Sequence, residues 1–160
     1  MIKVGDRVPD NISLQYMDGK RVKDISSGEL FSKGRVVLFA VPGAFTPACS
    51  EQHLPGYVSH SYDLRQKGID DIVCIAVNDA FVMNAWAKDN NIVDEVRFIA
   101  DGNGDFARAI GVNMDMTRFG LGERSMRYSM LIEDGIVTIL NMENGGAFDV
   151  SKAEKILDAI

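Results

Sequence analysis

Short apolar runs alternate with amphipathic stretches along most of the chain. Arg35 to Val41 (RVVLFAV) is continuously apolar and rich in β-branched residues, and it ends at Pro42-Gly43. That is the pattern of a strand buried on both faces. Thr46-Pro47 then opens a helix, because threonine can cap and a proline at the first helical position needs no N–H partner. The helical pattern runs from Pro47 to Lys67 and stops at Gly68, with Pro55 predicted to kink or split it. A second buried strand spans Asp71 to Val77, and Asn78-Asp79 cap a helix reaching Asn90, in which Phe81, Ala85 and Trp86 are expected to share a face. Val96 to Ala100 reads as a third strand and Asp105 to Ile110 as a short helix stopped by Gly111. This βαβαβα alternation predicts parallel strands joined by right-handed crossovers.

Beyond it the pattern changes. Tyr128 to Ile132 and Ile136 to Met142 flank Glu133-Asp134-Gly135, a strong hairpin signal. Ser151 to Ile160 reads as a final amphipathic helix with Ser151 as its cap. Ile12 to Tyr16 and Arg21 to Ile25 read as shorter strands around Asp18-Gly19. The fold class expected is α/β with a mixed central sheet flanked by helices, an N-terminal strand extension, and a C-terminal hairpin plus helix. No repeat, linker or low-complexity tract divides residues 1–160, so a single domain is expected.

Composition narrows the functions. The 160 residues are 46% hydrophobic and carry 17 basic against 23 acidic side chains, a formal net charge of −6, which argues against nucleic acid as the main partner. Two cysteines, Cys49 and Cys74, are too few for a disulfide framework or a cysteine-built metal site. The opening MIKVGDRVPD has charges at Lys3, Asp6 and Arg7 and no apolar run, so neither an export signal nor a membrane span is expected; a reducing, cytoplasmic setting is.

The segment from Pro42 to Cys49 carries the chemistry. It follows a buried strand and opens a helix, at the strand end where open α/β sheets usually bind ligands. With Thr46 as cap, Cys49 lies in the first helical turn beside unpaired N–H groups, which together with the helix dipole stabilise a thiolate. The Thr46 hydroxyl, one turn away, can accept from a backbone N–H and donate to the sulfur or to a substrate oxygen. A small buried helix residue is the other reading of Cys49, since free cysteines usually are that. Cys74 sits mid-strand among Val73, Ile75 and Val77 and reads as a structural core thiol.

Val41 to Ser50 (VPGAFTPACS), followed by His53-Leu54-Pro55-Gly56-Tyr57, closely resembles the active-site region of the peroxiredoxins, above all the group holding peroxiredoxin five, the plant type II enzymes and the bacterial peroxiredoxin–glutaredoxin hybrids. Val77 to Val82, Arg124 to Ser129, Asp134-Gly135 and Asn144 to Phe148 match in the same order, so the resemblance covers nearly the whole chain. It implies a thioredoxin-like fold and the reduction of hydrogen peroxide and organic hydroperoxides. By this resemblance Cys49 is the peroxidatic nucleophile, Pro42 shields it, Thr46 bonds to sulfur and peroxide, and the active-site arginine is Arg127, with Arg124 in support. Taken alone, Arg127 reads as a surface ion pair. The resolving cysteine of part of the family has no counterpart between Gly146 and Ser151. A one-Cys cycle is therefore expected, its sulfenic acid reduced by glutathione with glutaredoxin, or by thioredoxin.

The remaining signals are weaker. His53 follows Cys49 by four residues; it is expected to line the site or satisfy a backbone carbonyl rather than bind metal. Gly43 and Phe45 are expected to support the substrate pocket, and Phe45 with Phe119 either packs internally or serves the homodimer that the resemblance implies. No nucleotide-binding motif is present, so no cofactor is expected. A thiol–disulfide oxidoreductase would show Cys-x-x-Cys, whereas Ser50, Glu51 and Gln52 follow Cys49. A redox sensor using the same sulfenate is the remaining alternative, separated from a peroxidase by sustained turnover.

Overall fold

The computed structural model describes residues 1–160. Its centre is a seven-stranded mixed sheet in the order β2-β1-β5-β4-β3-β8-β9. Strands β3 (Arg35–Ala40), β4 (Asp71–Ala76) and β5 (Arg97–Ala100) run parallel, as their separation by helices requires. β8 (Tyr128–Glu133) pairs antiparallel with β3, and β9 (Ile136–Met142) returns beside it through a tight turn. Asp134 and Gly135 there take φ of 48° and 85°, the left-handed conformations that a two-residue hairpin turn demands. β1 (Ser13–Asp18) and β2 (Arg21–Ser26) extend the other edge.

The apolar run in β3 is continuous because the sheet is covered on both faces. Val36, Leu38 and Ala40 face one core with Leu30 and Phe31 of α1 (Ser27–Phe31) and Phe106 of α5 (Asp105–Ala109). Val37, Phe39 and Val41 face the other, with α2 (Leu54–Ser59), α3 (Ser61–Gln66), α4 (Ala80–Asp89) and α6 (Ala153–Ala159). Cys49 and Cys74 both belong to this second core.

Several expectations need correction. The long helix is not broken at Pro55. It widens into a π turn at Cys49–His53, where the Leu54 N–H reaches the Cys49 carbonyl, and its break comes at His60. The wide turn just ahead of Pro55 absorbs the missing donor and the ring's bulk, which an α turn cannot. Asp79 caps α4 as expected, its carboxylate accepting the Val82 N–H at 2.8 Å, but the buried face is Ala80, Met83 and Trp86; Phe81 and Ala85 are exposed, because the helical repeat puts those two together on the side opposite Met83. Ser151 does not cap α6; that position falls to Lys152, with no side-chain cap. α1 and a small ribbon, β6 (Asn113–Asp115) with β7 (Glu123–Ser125), were not expected.

Candidate active site

The site forms where the C-terminal end of β3, the π turn and the start of β8 meet. Cys49 is fully buried, with Arg127 8% and His53 1% exposed. One guanidinium nitrogen of Arg127 (Nη2) donates to Cys49 Sγ at 3.0 Å, and the other (Nη1) lies 2.9 Å from His53 Nδ1. His53 Nε2 lies 3.1 Å from the Ser151 carbonyl oxygen. A carbonyl only accepts and a guanidinium only donates, so the proton sits on Nε2 and Nδ1 receives Arg127: the ring is neutral. Burial first, then the Arg127 charge, drives the His53 pKa down to about 3, which keeps it so. His53 thus both lines the site and satisfies a carbonyl.

Arg127 makes no ion pair with any carboxylate. Its charge is buried against a sulfur atom and a neutral ring, so the natural counter-ion in reach is a Cys49 thiolate. Aromatic rings enclose the group. Phe39 stacks on Tyr57 at 4.0 Å, and Phe148 lies 5.1 Å from His53 with Arg127 Cζ 5.7 Å from its centroid.

The loop before the π turn is held by its own bonds. Asn78 Oδ1 accepts the Ala44 N–H at 2.9 Å, and Arg124 donates to the Leu121 carbonyl at 2.9 Å and the Pro42 carbonyl at 3.3 Å. A side chain at Gly43 would crowd this arrangement: a Cβ there would lie 2.8 Å from Arg124 Nη1 and 3.2 Å from Thr46 Cγ2, so the arginine tip would have to shift. The Thr46 hydroxyl departs from its expected role. It donates to the Gly43 carbonyl at 2.6 Å and caps no N–H of the helix, so its proton is engaged while its oxygen accepts no hydrogen bond within the chain. Phe45 has a φ of 66° and is 51% exposed, a surface position beside the buried cluster. Such a φ in a bulky residue is uncommon and marks a locally constrained loop.

Four contributors escaped the sequence reading. Ser151, Tyr57 and Glu143 act through the Ser151 carbonyl, and Trp86 Nε1 donates to Ser50 Oγ at 2.9 Å beneath the π turn. Cys74 pairs with Phe39 inside the sheet; burial, with Cys49 nearby, pushes its thiol well above the usual range.

Comparison with known proteins agrees with this architecture. The Redoxin family model matches residues 3–157. Peroxiredoxin-2E, chloroplastic, from Arabidopsis thaliana is 52% identical over 99% of this chain and 69% of its own length. The hybrid peroxiredoxin hyPrx5 of Haemophilus influenzae is 40% identical over 96% of this chain and 64% of its own. Among solved structures, reduced Prx3 from Vibrio vulnificus in complex with hydrogen peroxide superposes with a TM-score of 0.93 at 47% identity, covering 99% of this chain and 96% of that one. The shared architecture is thioredoxin-like, with the mixed sheet flanked by helices.

Proposed function

The chain belongs to the Redoxin family as a type II, peroxiredoxin-five-like peroxiredoxin and is a thiol-dependent peroxidase, and from that premise we propose that Cys49 is the thiol that attacks the peroxide. The observation that carries the assignment is the 3.0 Å contact from Arg127 Nη2 to Cys49 Sγ, with no carboxylate within ion-pair distance of the guanidinium. The thiolate attacks one peroxide oxygen in line with the O–O bond. The S–O bond forms, the O–O bond breaks, and the leaving oxygen departs as water or an alcohol after taking up a proton. Arg127 cannot supply that proton near neutral pH, but its fixed positive charge stabilises the negative charge that develops on sulfur and oxygen. Thr46 offers acceptor lone pairs to the peroxide O–H, and Pro42 and Gly43 close the approach.

Cys49 sulfenic acid then meets an external thiol. The thiol sulfur bonds to Cys49 and water leaves; a second thiol releases reduced Cys49 and a disulfide. Cys74 is the wrong partner, being mid-strand, fully buried and held protonated. Glutathione with glutaredoxin is the first reductant, thioredoxin the second, a choice supported by the hybrid form of one relative. Such thiols are held reduced in the cytoplasm, our proposed compartment. A homodimer is supported by three exposed phenylalanines. Asn78 ties the start of α4 to Ala44, and Arg124 ties the ribbon loop to Pro42, so Phe81 and Phe119 lie on segments bonded to the loop that presents Phe45.

Steady-state peroxide consumption tests the cycle. With glutathione and glutaredoxin, the wild type and Cys74→Ser should both turn over repeatedly. Loss of turnover in Cys74→Ser, with its first peroxide reaction intact, would refute the one-Cys cycle. A single oxidation without turnover in the wild type would identify a sensor instead.

A further inference from the structure

Nothing in the peroxidase chemistry above requires Glu143, yet its side chain is one of the most heavily bonded in the molecule. It is 7% exposed and accepts four hydrogen bonds. Its Oε2 takes the Asp149 N–H at 2.7 Å, the Ser151 N–H at 2.9 Å and the Ser151 hydroxyl at 2.6 Å, while Oε1 takes the Val150 N–H at 3.3 Å. Burial pushes the carboxyl pKa up, but these bonds outweigh it and hold the group below its ordinary value. The Glu143 N–H itself donates to the Arg127 carbonyl at 3.1 Å. One residue therefore joins the backbone of the active-site arginine to the far end of the loop that carries Phe148.

What this clasp fixes is the Ser151 carbonyl, which accepts both the His53 ring and the Tyr57 hydroxyl, the latter at 2.8 Å. We propose that Glu143 is a positioning residue for Arg127: its carboxylate clasps residues 149–151 so that the Ser151 carbonyl locks the His53 tautomer that can receive Arg127. The proposal rests on reading Cys49 as the reacting thiol.

The tautomer is the critical link. With the Ser151 carbonyl in place, the ring proton stays on Nε2 and Nδ1 presents a lone pair to Arg127 Nη1. Without that acceptor the ring can place its proton on Nδ1, where it faces a guanidinium N–H, donor against donor. The guanidinium is a rigid plane, so displacing Nη1 also displaces Nη2 from Cys49 Sγ. Phe148 leaves with the same loop, and water then reaches a pair that its ring now covers. Glu143 thereby acts on the sulfur through three intermediaries without touching it.

The test pairs single-turnover peroxide kinetics with nitrogen-15 NMR of the His53 ring, in Glu143→Ala and Glu143→Gln. Glu143→Ala should react about tenfold more slowly or worse, as small misplacements of reacting groups do. Its His53 should show a substantial Nδ1–H population. In Glu143→Gln the amide oxygen can keep the three Oε2 bonds, and only the long Val150 contact turns donor against donor and opens, so the rate should return to within about threefold and the Nε2–H signature should remain. A folded Glu143→Ala with wild-type rate overturns the proposal, and so does a slow one with an unchanged His53 signature. If Glu143→Ala does not fold, Ser151→Ala decides: unlike Glu143→Gln, which gives up the longest of the four bonds, it removes the shortest, so it should slow the reaction and populate Nδ1–H, and an unchanged rate and ring signature contradict the clasp. Failure of the underlying reading is separate, because a wild type whose Cys49 ignores peroxide would show it without any Glu143 variant.

Discussion

Between Arg127 and Ser151, His53 accepts on one ring nitrogen and donates on the other, and both duties require a neutral ring. Neutrality has a consequence for stability. His53 titrates near its ordinary 6.5 in the unfolded chain and at about 3 in the fold. Between those values the unfolded chain takes up a proton that the folded chain refuses. Stability present above pH 6.5 is therefore lost at up to about 1.4 kcal/mol per pH unit as pH falls toward 3. His53→Gln keeps an acceptor for Arg127 and a donor for Ser151 but cannot titrate. Urea unfolding at about pH 6.5 and about pH 4.5 should show the wild type losing about 2 kcal/mol more than this variant. Equal losses in the two proteins would show that His53 does not carry that proton linkage. At this scale the sequence was informative about the nucleophile and about which residues surround it, including His53, but not about how they are bonded to one another. The elbow Pro42 to Cys49 is local, whereas His53 meets Arg127 across 74 positions and Ser151 across 98, and only the fold brings them together.

Among the elements, the π turn Cys49–His53 is where the cycle requires movement. Cys49 has no exposed surface, so a protein thiol cannot reach its sulfur until the turn opens. A π turn ahead of a proline is weakly bonded compared with the strands around it, and opening there costs less than global unfolding. The chain has one tryptophan, and its Nε1 donates to Ser50 Oγ inside this turn. Joining glutathione to Cys49 should therefore break that bond and shift Trp86 emission to the red, with faster amide exchange confined to residues 49–54. Unchanged emission in the mixed disulfide would show that the turn stays closed. The elements legible in sequence were those with a strong local code: the two-sided apolar runs of β3 and β4, the Asp79 cap, and Asp134-Gly135. The π turn was misjudged because Pro55 announces a disturbance without saying whether the backbone breaks or widens. α1, five residues long, and the three-residue strands β6 and β7 have too few positions to establish a period.

For the whole molecule, both faces of the sheet are filled, and the site lies on the face that holds both cysteines. The parallel centre and antiparallel flank were readable from the order of elements alone. How the molecule associates was not, because exposure of Phe45, Phe81 and Phe119 is a property of the folded surface. The homodimer proposed above rests on these exposed side chains. Sedimentation velocity should find a dimer for the wild type and a monomer for Phe119→Arg; a monomeric wild type would remove the proposed homodimer. Everything above turns on Cys49 being the reacting thiol, and intact-protein mass shows whether it is. Reduced protein is given one equivalent of hydrogen peroxide with a sulfenate trap present, alongside Cys49→Ser. A trap adduct mapped to Cys49 and missing from the variant is the predicted result. No adduct in the wild type, or one mapped to Cys74, would mean that Cys49 is not the reacting thiol.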